Sequence, residues 1–143
     1  MTLAKVLLVD DEVPFVETIT KRLTKRDLEI SAALTGEDAL SALALSDQIE
    51  VVILDVKMPG MGGIETLQAI RKKYPLVEVI MLTGHATVES AIDGMKMGAF
   101  DYLMKPCNMD MLMAKVLEAA VKKRAHEEKI IEARIKEITT RRA

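Results

Sequence analysis

The sequence predicts an α/β protein with a doubly wound sheet of five parallel strands and an extended C-terminal helix. Two observations predict this fold class: five short runs rich in apolar residues recur at regular intervals, and segments with helical apolar spacing lie between them. Such alternation is typical of a parallel sheet with right-handed crossovers. The length of 143 residues fits one domain.

The five predicted strands differ in how deeply they should be buried. Three runs are continuously apolar, as expected of strands covered on both faces, and they span residues 6–9, 51–54 and 79–82. The other two, residues 30–34 and 100–104, mix polar and apolar side chains. We therefore expect these two at the edges of the sheet.

Four helices are predicted between the five strands. Pro75 prevents continuation of the third helix, and Gly98 is a candidate C-cap of the fourth. The stripes with helical spacing are Phe15, Ile19 and Leu23; Ala39, Leu40, Leu43 and Ala44; Ile64, Leu67, Ile70 and Arg71; and Val88, Ala91, Ile92 and Met95.

The last helix is predicted to be unusually long, because residues 109–142 contain no glycine or proline. At ~1.5 Å per residue it would extend about 50 Å, so its second half should project from the body. A heptad runs through it, interrupted by two charged members. A weak coiled coil and a solvated helix are both compatible with this pattern. Its positions are Leu117, Val121, Arg124, Glu128, Ile131, Ile135 and Ile138.

The small net charge of −2 hides an uneven distribution. Residues 1–107 carry 11 basic and 16 acidic side chains, a net charge of −5, whereas residues 108–143 carry 9 basic and 6 acidic ones, a net charge of +3. Glutamates are interspersed among the basic residues of the tail, and aromatic residues make up only 3% of the chain. We therefore predict no direct contact with nucleic acid.

Composition excludes further classes of protein. A single cysteine, Cys107, cannot build a disulfide framework or a cysteine zinc site, and we expect it to be a packing residue. No apolar run approaches the ~20 residues that span a bilayer, and the N-terminus does not have the layout of a signal peptide. We expect a cytoplasmic protein without a membrane partner.

Acidic residues follow two of the predicted strands. Asp10 and Asp11 come after the first strand, and Asp55 comes after the third. Ligands of doubly wound sheets bind at the carboxyl ends of the strands, where these side chains would converge. Each carboxylate pair at ~4 Å costs about 4 kcal/mol at an effective dielectric near 20. Protons or a cation must relieve this repulsion, and hard oxygen ligands favour Mg²⁺.

The ends of the fourth and fifth strands add complementary groups. Thr83 offers a hydroxyl, and Lys105, which precedes Pro106, offers a fixed positive charge. A metal, a lysine and a hydroxyl around one carboxylate suit a phosphoryl group bound to that carboxylate. Asp55 is the best placed of the three acids, as a nucleophile that forms an acyl phosphate.

Four segments now carry a strong resemblance: Val-Asp-Asp-Glu at 9–12, Asp-Val-Lys-Met-Pro-Gly at 55–60, Thr-Gly-His at 83–85 and Tyr-Leu-Met-Lys-Pro at 102–106. In this order and spacing they resemble the receiver domain of bacterial two-component response regulators, over roughly residues 3–122. The resemblance implies a flavodoxin-like sheet with strand order 2-1-3-4-5. It divides the chain into a receiver domain, residues 1–122, and a helical extension or linker, residues 123–143.

The resemblance also implies a metal site. Asp11 and Asp55 would bind Mg²⁺ directly together with the backbone carbonyl of Lys57, and Asp10 would act through water. His85 lies two residues after Thr83, at a position that flanks the site, and we expect it to face solvent.

Further roles follow from the resemblance. Asp55 would be the phosphoacceptor, Lys105 would contact the phosphoryl group, and Thr83 would donate a hydrogen bond to it. Tyr102 resembles the switch aromatic that turns inward when Thr83 moves toward the phosphate. The peptide bond between Lys105 and Pro106 is expected to be cis.

Two stretches, residues 83–89 and 95–102, are similar to receivers of the nitrogen-regulation class, which commonly precede an ATPase that activates an alternative sigma factor. The 143 residues contain neither a Walker phosphate loop nor a helix-turn-helix. A stand-alone receiver and a fragment of a larger regulator are both compatible with this sequence.

The leading hypothesis is a phosphorylation-controlled signalling switch that receives its phosphoryl group from a sensor histidine kinase. It would catalyse only its own phosphorylation and slow dephosphorylation, without being a turnover enzyme. Its partners would be a second copy, bound through the fourth helix, fifth strand, fifth helix and C-terminal extension, and a downstream ATPase or effector. The alternative is a constitutive dimerisation module with a vestigial site. Methionines near the last helix suit either core packing or a partner surface: Met104, Met109, Met111 and Met113.

Overall fold

The computed structural model describes residues 1–85 and 87–142, and of Arg142 the backbone alone. Strands and helices alternate along the chain, as predicted. The strands are β1 (Ala4–Val9), β2 (Leu28–Ala33), β3 (Val51–Leu54), β4 (Glu78–Thr83) and β5 (Asp101–Met104). The helices are α1 (Val13–Thr24), α2 (Gly36–Leu45), α3 (Gly63–Lys73), α4 (Val88–Lys96) and α5 (Met109–Arg142).

The five strands form one parallel sheet in the order β2-β1-β3-β4-β5. This confirms the predicted fold class and strand order. The two runs of mixed polarity form the edge strands β2 and β5, because only the central strands are covered on both faces. Val9 of β1 pairs with Leu54 of β3, so the residues that follow them emerge side by side.

Two apolar layers cover the sheet. Alternate residues of the central strands, such as Leu8 and Ile53, pack with α1 and α5 on one face. Their neighbours, such as Leu7 and Val52, pack with α2 and α3 on the other face. The alternation follows from the pleat, which turns successive side chains to opposite faces.

The apolar stripe of α4 does not point into the core. Val88, Ile92 and Met95 are 79%, 49% and 47% exposed, and the buried residue of this helix is Gly94. The helical spacing was predicted correctly, but the stripe leaves an apolar surface open to solvent. The predicted cap is observed one residue past the C-cap, where Gly98 has a φ of 97°.

Helix α5 packs on the body only along its first half. Leu112, Val116 and Ala119 are fully buried, whereas every described side chain from Glu128 to Arg141 is exposed. The second half therefore projects, as its length predicted. The boundary between residues 122 and 123 falls inside this continuous helix, and Ala143 lies outside the described residues.

Around the last helix, the four methionines divide between the two uses considered above. Met104 and Met111 are 62% and 52% exposed, whereas Met109 and Met113 pack against the core.

Within the described chain, no helix combines the length and apolar character that a membrane crossing requires.

Candidate functional site

Three carboxylates converge at the carboxyl end of the sheet. Oxygen atoms of Asp10, Asp11 and Asp55 all lie within 4.8 Å of one another. Asp10 and Asp55 are almost fully buried, at 1% and 2% exposure, and Asp11 is exposed. The convergence follows from the adjacent positions of β1 and β3, which end immediately before these residues.

Backbone contacts orient the two buried carboxylates. The N–H of Glu12 donates to Oδ1 of Asp10 at 2.9 Å, and the N–H of Val56 donates to Oδ1 of Asp55 at 2.9 Å. The start of α3 lies directly against this turn, since a Cβ on Gly63 would come within 2.1 Å of the carbonyl oxygen of Asp55. Only a residue without a side chain allows this approach.

Lys105 is drawn into the acidic cluster. Its Nζ lies 2.6 Å from Oδ2 of Asp10 and 3.3 Å from Oε1 of Glu12, and its side chain is 13% exposed. The ring centroid of Phe15 lies 3.9 Å from the same nitrogen. The Lys105–Pro106 peptide bond is cis, as expected, and the backbone N–H of Lys105 donates to the carbonyl of Thr83.

The electrostatics of this cluster raise the proton affinity of both members of the buried pair. Burial raises the pKa of Asp10, and the charge of Asp55 adds to this, against the opposing hydrogen bonds from Lys105 and the Glu12 backbone. For Lys105, burial alone lowers the pKa, but the hydrogen bond to Asp10 and the charges of Asp10 and Asp55 outweigh it, so that the pKa lies above its ordinary value. Lys105 therefore remains a cation at neutral pH.

The remaining predicted residues surround the cluster. Thr83 is fully buried at the end of β4, and its Oγ1 accepts a hydrogen bond from the backbone N–H of His85 at 3.0 Å. Tyr102 lies on β5, half-buried, with its ring against Gly94 of α4. Its hydroxyl lies 2.7 Å from Oγ of Ser90. In this structure the Tyr102 hydroxyl therefore contacts α4.

An open cleft of about 370 Å³ leads to the cluster. Asp11, Glu12, Lys57 and His85 are among the residues that line it. Lys57 and His85 are exposed, and for His85 this exposure was predicted. Cys107 lies outside this cleft and is half-buried, and burial raises the pKa of its thiol. This supports the packing role predicted for Cys107.

Sequence reasoning missed three residues around the predicted ones. Glu12 and Phe15 both contact Lys105, and Ser90 contacts Tyr102. Phe15 was assigned to the core stripe of α1, where Val16, Ile19 and Leu23 are the buried residues and Phe15 is only partly buried. The sequence contains no local signal of the contact between Phe15 and Lys105, because the two residues lie 90 positions apart.

The donor set fits a divalent hard cation. Three carboxylates with oxygens within 4.8 Å of one another, two of them buried, supply oxygen ligands and an excess of negative charge that a single lysine does not balance. Mg²⁺ prefers such ligands and retains free positions for water and phosphate oxygens. The arrangement can thus hold a metal and an anionic group beside Asp55.

Comparison with known proteins agrees with this geometry. The profile of the response regulator receiver domain matches residues 6–117. An NtrX-like response regulator of Rickettsia bellii is 40% identical over 115 residues, which cover 79% of this chain and 24% of that protein. The DNA-binding transcriptional regulator NtrC of Proteus hauseri is 33% identical over 121 residues, covering 85% of this chain and 25% of the regulator.

A solved receiver domain has the same fold. The crystal structure of a response regulator receiver domain protein from Clostridium thermocellum superposes with a TM-score of 0.81 at 36% identity, covering 85% of this chain and 98% of that one. The chain spans about a quarter of the length of the curated relatives it matches. Receiver domains are regulatory modules, and the acidic cluster is consistent with a phosphorylation-controlled switch. The chain belongs to the receiver domain family of two-component response regulators.

Proposed function

We propose that this receiver domain accepts a phosphoryl group on Asp55 from the phosphohistidine of a sensor histidine kinase. One observation carries the proposal: the buried Asp55 carboxylate lies within 4.8 Å of the oxygens of Asp10 and Asp11, at the end of the sheet where Lys105 binds Asp10. A nucleophile, an acidic metal site and a cation are thus available at one place.

We propose Mg²⁺ as the metal. Asp11 and Asp55 would bind it with the backbone carbonyl of Lys57, and Asp10 would act through water. When bound, Mg²⁺ offsets the negative charge of the carboxylates and of the phosphoryl oxygens. Asp10 and Asp55 are both buried, so their repulsion is poorly screened by solvent and favours cation binding.

The chain's own residues would carry the transfer. A carboxylate oxygen of Asp55 forms the new O–P bond while the N–P bond of the phosphohistidine breaks, and the imidazole nitrogen keeps the electron pair and takes up a proton. Lys105 neutralises part of the phosphoryl charge, and Thr83 donates its hydroxyl hydrogen to a phosphoryl oxygen. Slow hydrolysis of the acyl phosphate by water would return the domain to its unphosphorylated state. The domain would thus act only on its phosphodonor and on its own acyl phosphate.

The signal would leave through α4, β5 and α5. When Thr83 moves toward the phosphoryl group, Tyr102 would turn inward from Ser90, which shifts the population of α4 positions. This surface carries exposed apolar side chains that suit a second copy of the domain. They are Val88, Ile92, Met95, Met104 and Met111.

The helical extension, residues 123–143, would add a second dimer contact. Ile131, Ile135 and Ile138 lie one helical turn apart and are 52%, 59% and 54% exposed, which suits pairing with another helix. By likeness to the NtrX-like and NtrC regulators, we propose that the output is control of transcription through an ATPase or another effector.

Exposure to a small phosphodonor with Mg²⁺ tests the proposed chemistry. Intact mass spectrometry should detect the gain of one phosphoryl group by the wild type and none by Asp55→Asn, and chelation of Mg²⁺ should prevent the gain. An unmodified wild type, or an equal gain in Asp55→Asn, would contradict the proposal. The alternative of a constitutive dimerisation module would then be favoured.

Sedimentation tests the proposed dimer. Beryllofluoride with Mg²⁺ should increase the dimer fraction of the wild type, and Ile135→Asp should reduce it without changing phosphorylation. A dimer fraction that is the same with and without beryllofluoride would contradict a phosphorylation-controlled interface. The dimer fraction of Ile92→Asp, compared with that of Ile135→Asp, then shows whether the α4 surface or the extension contributes more to the dimer.

A further inference from the structure

We infer that Phe15 is a positioning residue for Lys105, whose ammonium it holds at the phosphorylation site through a cation–π contact. The inference deepens the proposed function and rests on it, since Lys105 is the group that would contact the phosphoryl oxygens. Phe15 lies on the first turn of α1, and its ring contacts Lys105 without a conventional hydrogen-bonding group.

The contact is close and partly buried. The Nζ atom of Lys105 lies 3.9 Å from the ring centroid of Phe15, well within the ~6 Å at which a cation is attracted to an aromatic face. The lysine side chain is only 13% exposed, so water screens this attraction weakly. The ammonium therefore contacts the ring as well as the carboxylates of Asp10 and Glu12.

The ring supplies something that the carboxylates do not. Asp10 and Glu12 hold Lys105 through its N–H groups, and a phosphoryl group would compete for those same donors. The π face attracts the charge without accepting a conventional hydrogen bond. Phe15 can thus keep the ammonium in place while Lys105 exchanges a carboxylate partner for a phosphoryl oxygen.

The position of Phe15 supports this role over plain core filling. The buried positions of α1 are Val16, Ile19 and Leu23. Phe15 is partly buried and lines a small cleft of about 160 Å³ with Lys105, Pro106 and others. Phe15 thus packs against the core and also contacts the lysine.

Two other lysine–aromatic pairs provide an internal comparison. Lys122 lies 5.6 Å from the ring of Phe100, and Lys73 lies 5.9 Å from that of Tyr74. Lys122 is 54% exposed and far from the carboxylate cluster in the fold, at the other end of β4. Phe100→Leu is therefore a matched control that removes a ring of the same kind away from the site.

The test is a double-mutant cycle with a small phosphodonor. Phe15→Leu should slow phosphorylation of Asp55 about fivefold, as expected for loss of a contact of ordinary cation–π strength, whereas Phe15→Tyr should retain at least half the wild-type rate. In a Lys105→Met background, Phe15→Leu should change the residual rate by less than twofold. Affinity for Mg²⁺, measured by calorimetry, should stay within twofold in Phe15→Leu.

Two further readouts separate positioning from a purely structural role. The ε-methylene protons of Lys105 should resonate upfield in the wild type because of the ring current, and Phe15→Leu should abolish this shift while Phe100→Leu preserves it. Urea unfolding identifies any variant that fails to fold, in which case the upfield shift of the Lys105 protons in the wild type still decides.

Three outcomes would overturn the inference: an equal slowing in the Lys105→Met background, a Phe15→Tyr rate as low as that of Phe15→Leu, or no upfield shift in the wild type. A wild type that takes up no phosphoryl group would instead contradict the proposed function. Failure of the inference and failure of the function are therefore distinguishable.

Discussion

The hydroxyl oxygens of Tyr102 and Ser90 lie 2.7 Å apart and tie β5 to the first turn of α4. Ser90 also forms a capping box with Thr87, in which each side chain accepts a hydrogen bond from the other residue's backbone N–H. The ring of Tyr102 packs over Gly94 of the same helix. The rotamer of Tyr102 and the start of α4 are thus physically coupled.

We predict that Ser90→Ala releases Tyr102 toward the interior. Loss of one neutral hydrogen bond costs about 1 kcal/mol, so the inward rotamer should become about fivefold more populated relative to the outward one. NMR of the Tyr102 ring should detect the change, and affinity for beryllofluoride should rise by up to the same factor.

Ser90→Thr retains the hydroxyl and serves as the control, and Tyr102→Phe should raise the affinity much as Ser90→Ala does. If Ser90→Ala leaves both the ring signals and the beryllofluoride affinity unchanged, the contact with Ser90 does not restrain Tyr102.

The acidic cluster should reduce the stability of the metal-free protein. Two charges about 5 Å apart repel by about 3 kcal/mol at an effective dielectric near 20, and Lys105 offsets part of this. We predict that Asp55→Asn raises the free energy of unfolding by about 1–2 kcal/mol in the presence of a chelator. Denaturation by urea measures it.

Mg²⁺ should make the wild type more stable than Asp55→Asn, because a ligand that binds only the folded state stabilises it. The wild type should gain stability with rising Mg²⁺ concentration, and Asp55→Asn should gain much less. Equal gains in both proteins would show that Asp55 is not part of the metal site.

Much of this architecture could be predicted from the sequence. The central strands β1, β3 and β4 each contain a continuous apolar run, which indicated the sheet. The convergence of Asp10, Asp11 and Asp55 was indicated by their positions directly after β1 and β3, because ligands of such sheets bind at the carboxyl ends of the strands. The edge positions of β2 and β5 followed from their mixed polarity.

Other features depend on tertiary packing and could not be predicted in this way. The stripe of α4 has normal helical spacing, but whether it meets a core depends on the neighbouring strand, and here the buried contact is Gly94 under Tyr102. Phe15 is separated by 90 positions from Lys105, so a local pattern contains no sign of their contact. Arg124, which interrupts the heptad, pairs with Glu50 of the body, 74 positions away.

Gly63 should be indispensable to the geometry of the site. A Cβ at this position would lie 2.1 Å from the carbonyl oxygen of Asp55 and 2.6 Å from Cα of Val56, so the β3–α3 turn would have to move. We predict that Gly63→Ala lowers the free energy of unfolding by about 3 kcal/mol, in the range of overpacked sites, and slows phosphorylation.

Gly62→Ala is a close control for this prediction. The nearest atom to a Cβ at Gly62 is the carbonyl oxygen of Val56 at 3.9 Å, an ordinary contact, and its φ of −73° suits any residue. Equal stability of the two alanine variants in urea would show that the turn tolerates a side chain at Gly63.

The final prediction concerns the point where α5 leaves the body. The guanidinium of Arg124 donates from Nε to Oε2 of Glu50 at 2.6 Å, from a terminal nitrogen to Oε1 at 2.8 Å, and from the same nitrogen to the carbonyl of Leu3 at 2.8 Å. Burial by itself raises the pKa of Glu50, but the hydrogen bonds and charge of Arg124, with the N–H of Lys5, hold that pKa below its ordinary value.

A carboxyl whose pKa is lower in the folded than in the unfolded state stabilises the fold above its unfolded pKa, about 4.3, and loses this contribution as the pH falls through its folded pKa. Because Arg124 is 50% exposed, we expect Arg124→Ala to lower the free energy of unfolding by only about 1 kcal/mol at pH 7. Urea titrations from pH 7 to pH 3 should show the difference from wild type narrowing below about pH 4. Arg141→Ala is the control: it removes an exposed pair with Glu137 on the projecting half of α5 and should leave the free energy of unfolding unchanged at every pH. If the loss of stability in Arg124→Ala is as large at pH 3 as at pH 7, the Glu50 charge has no role.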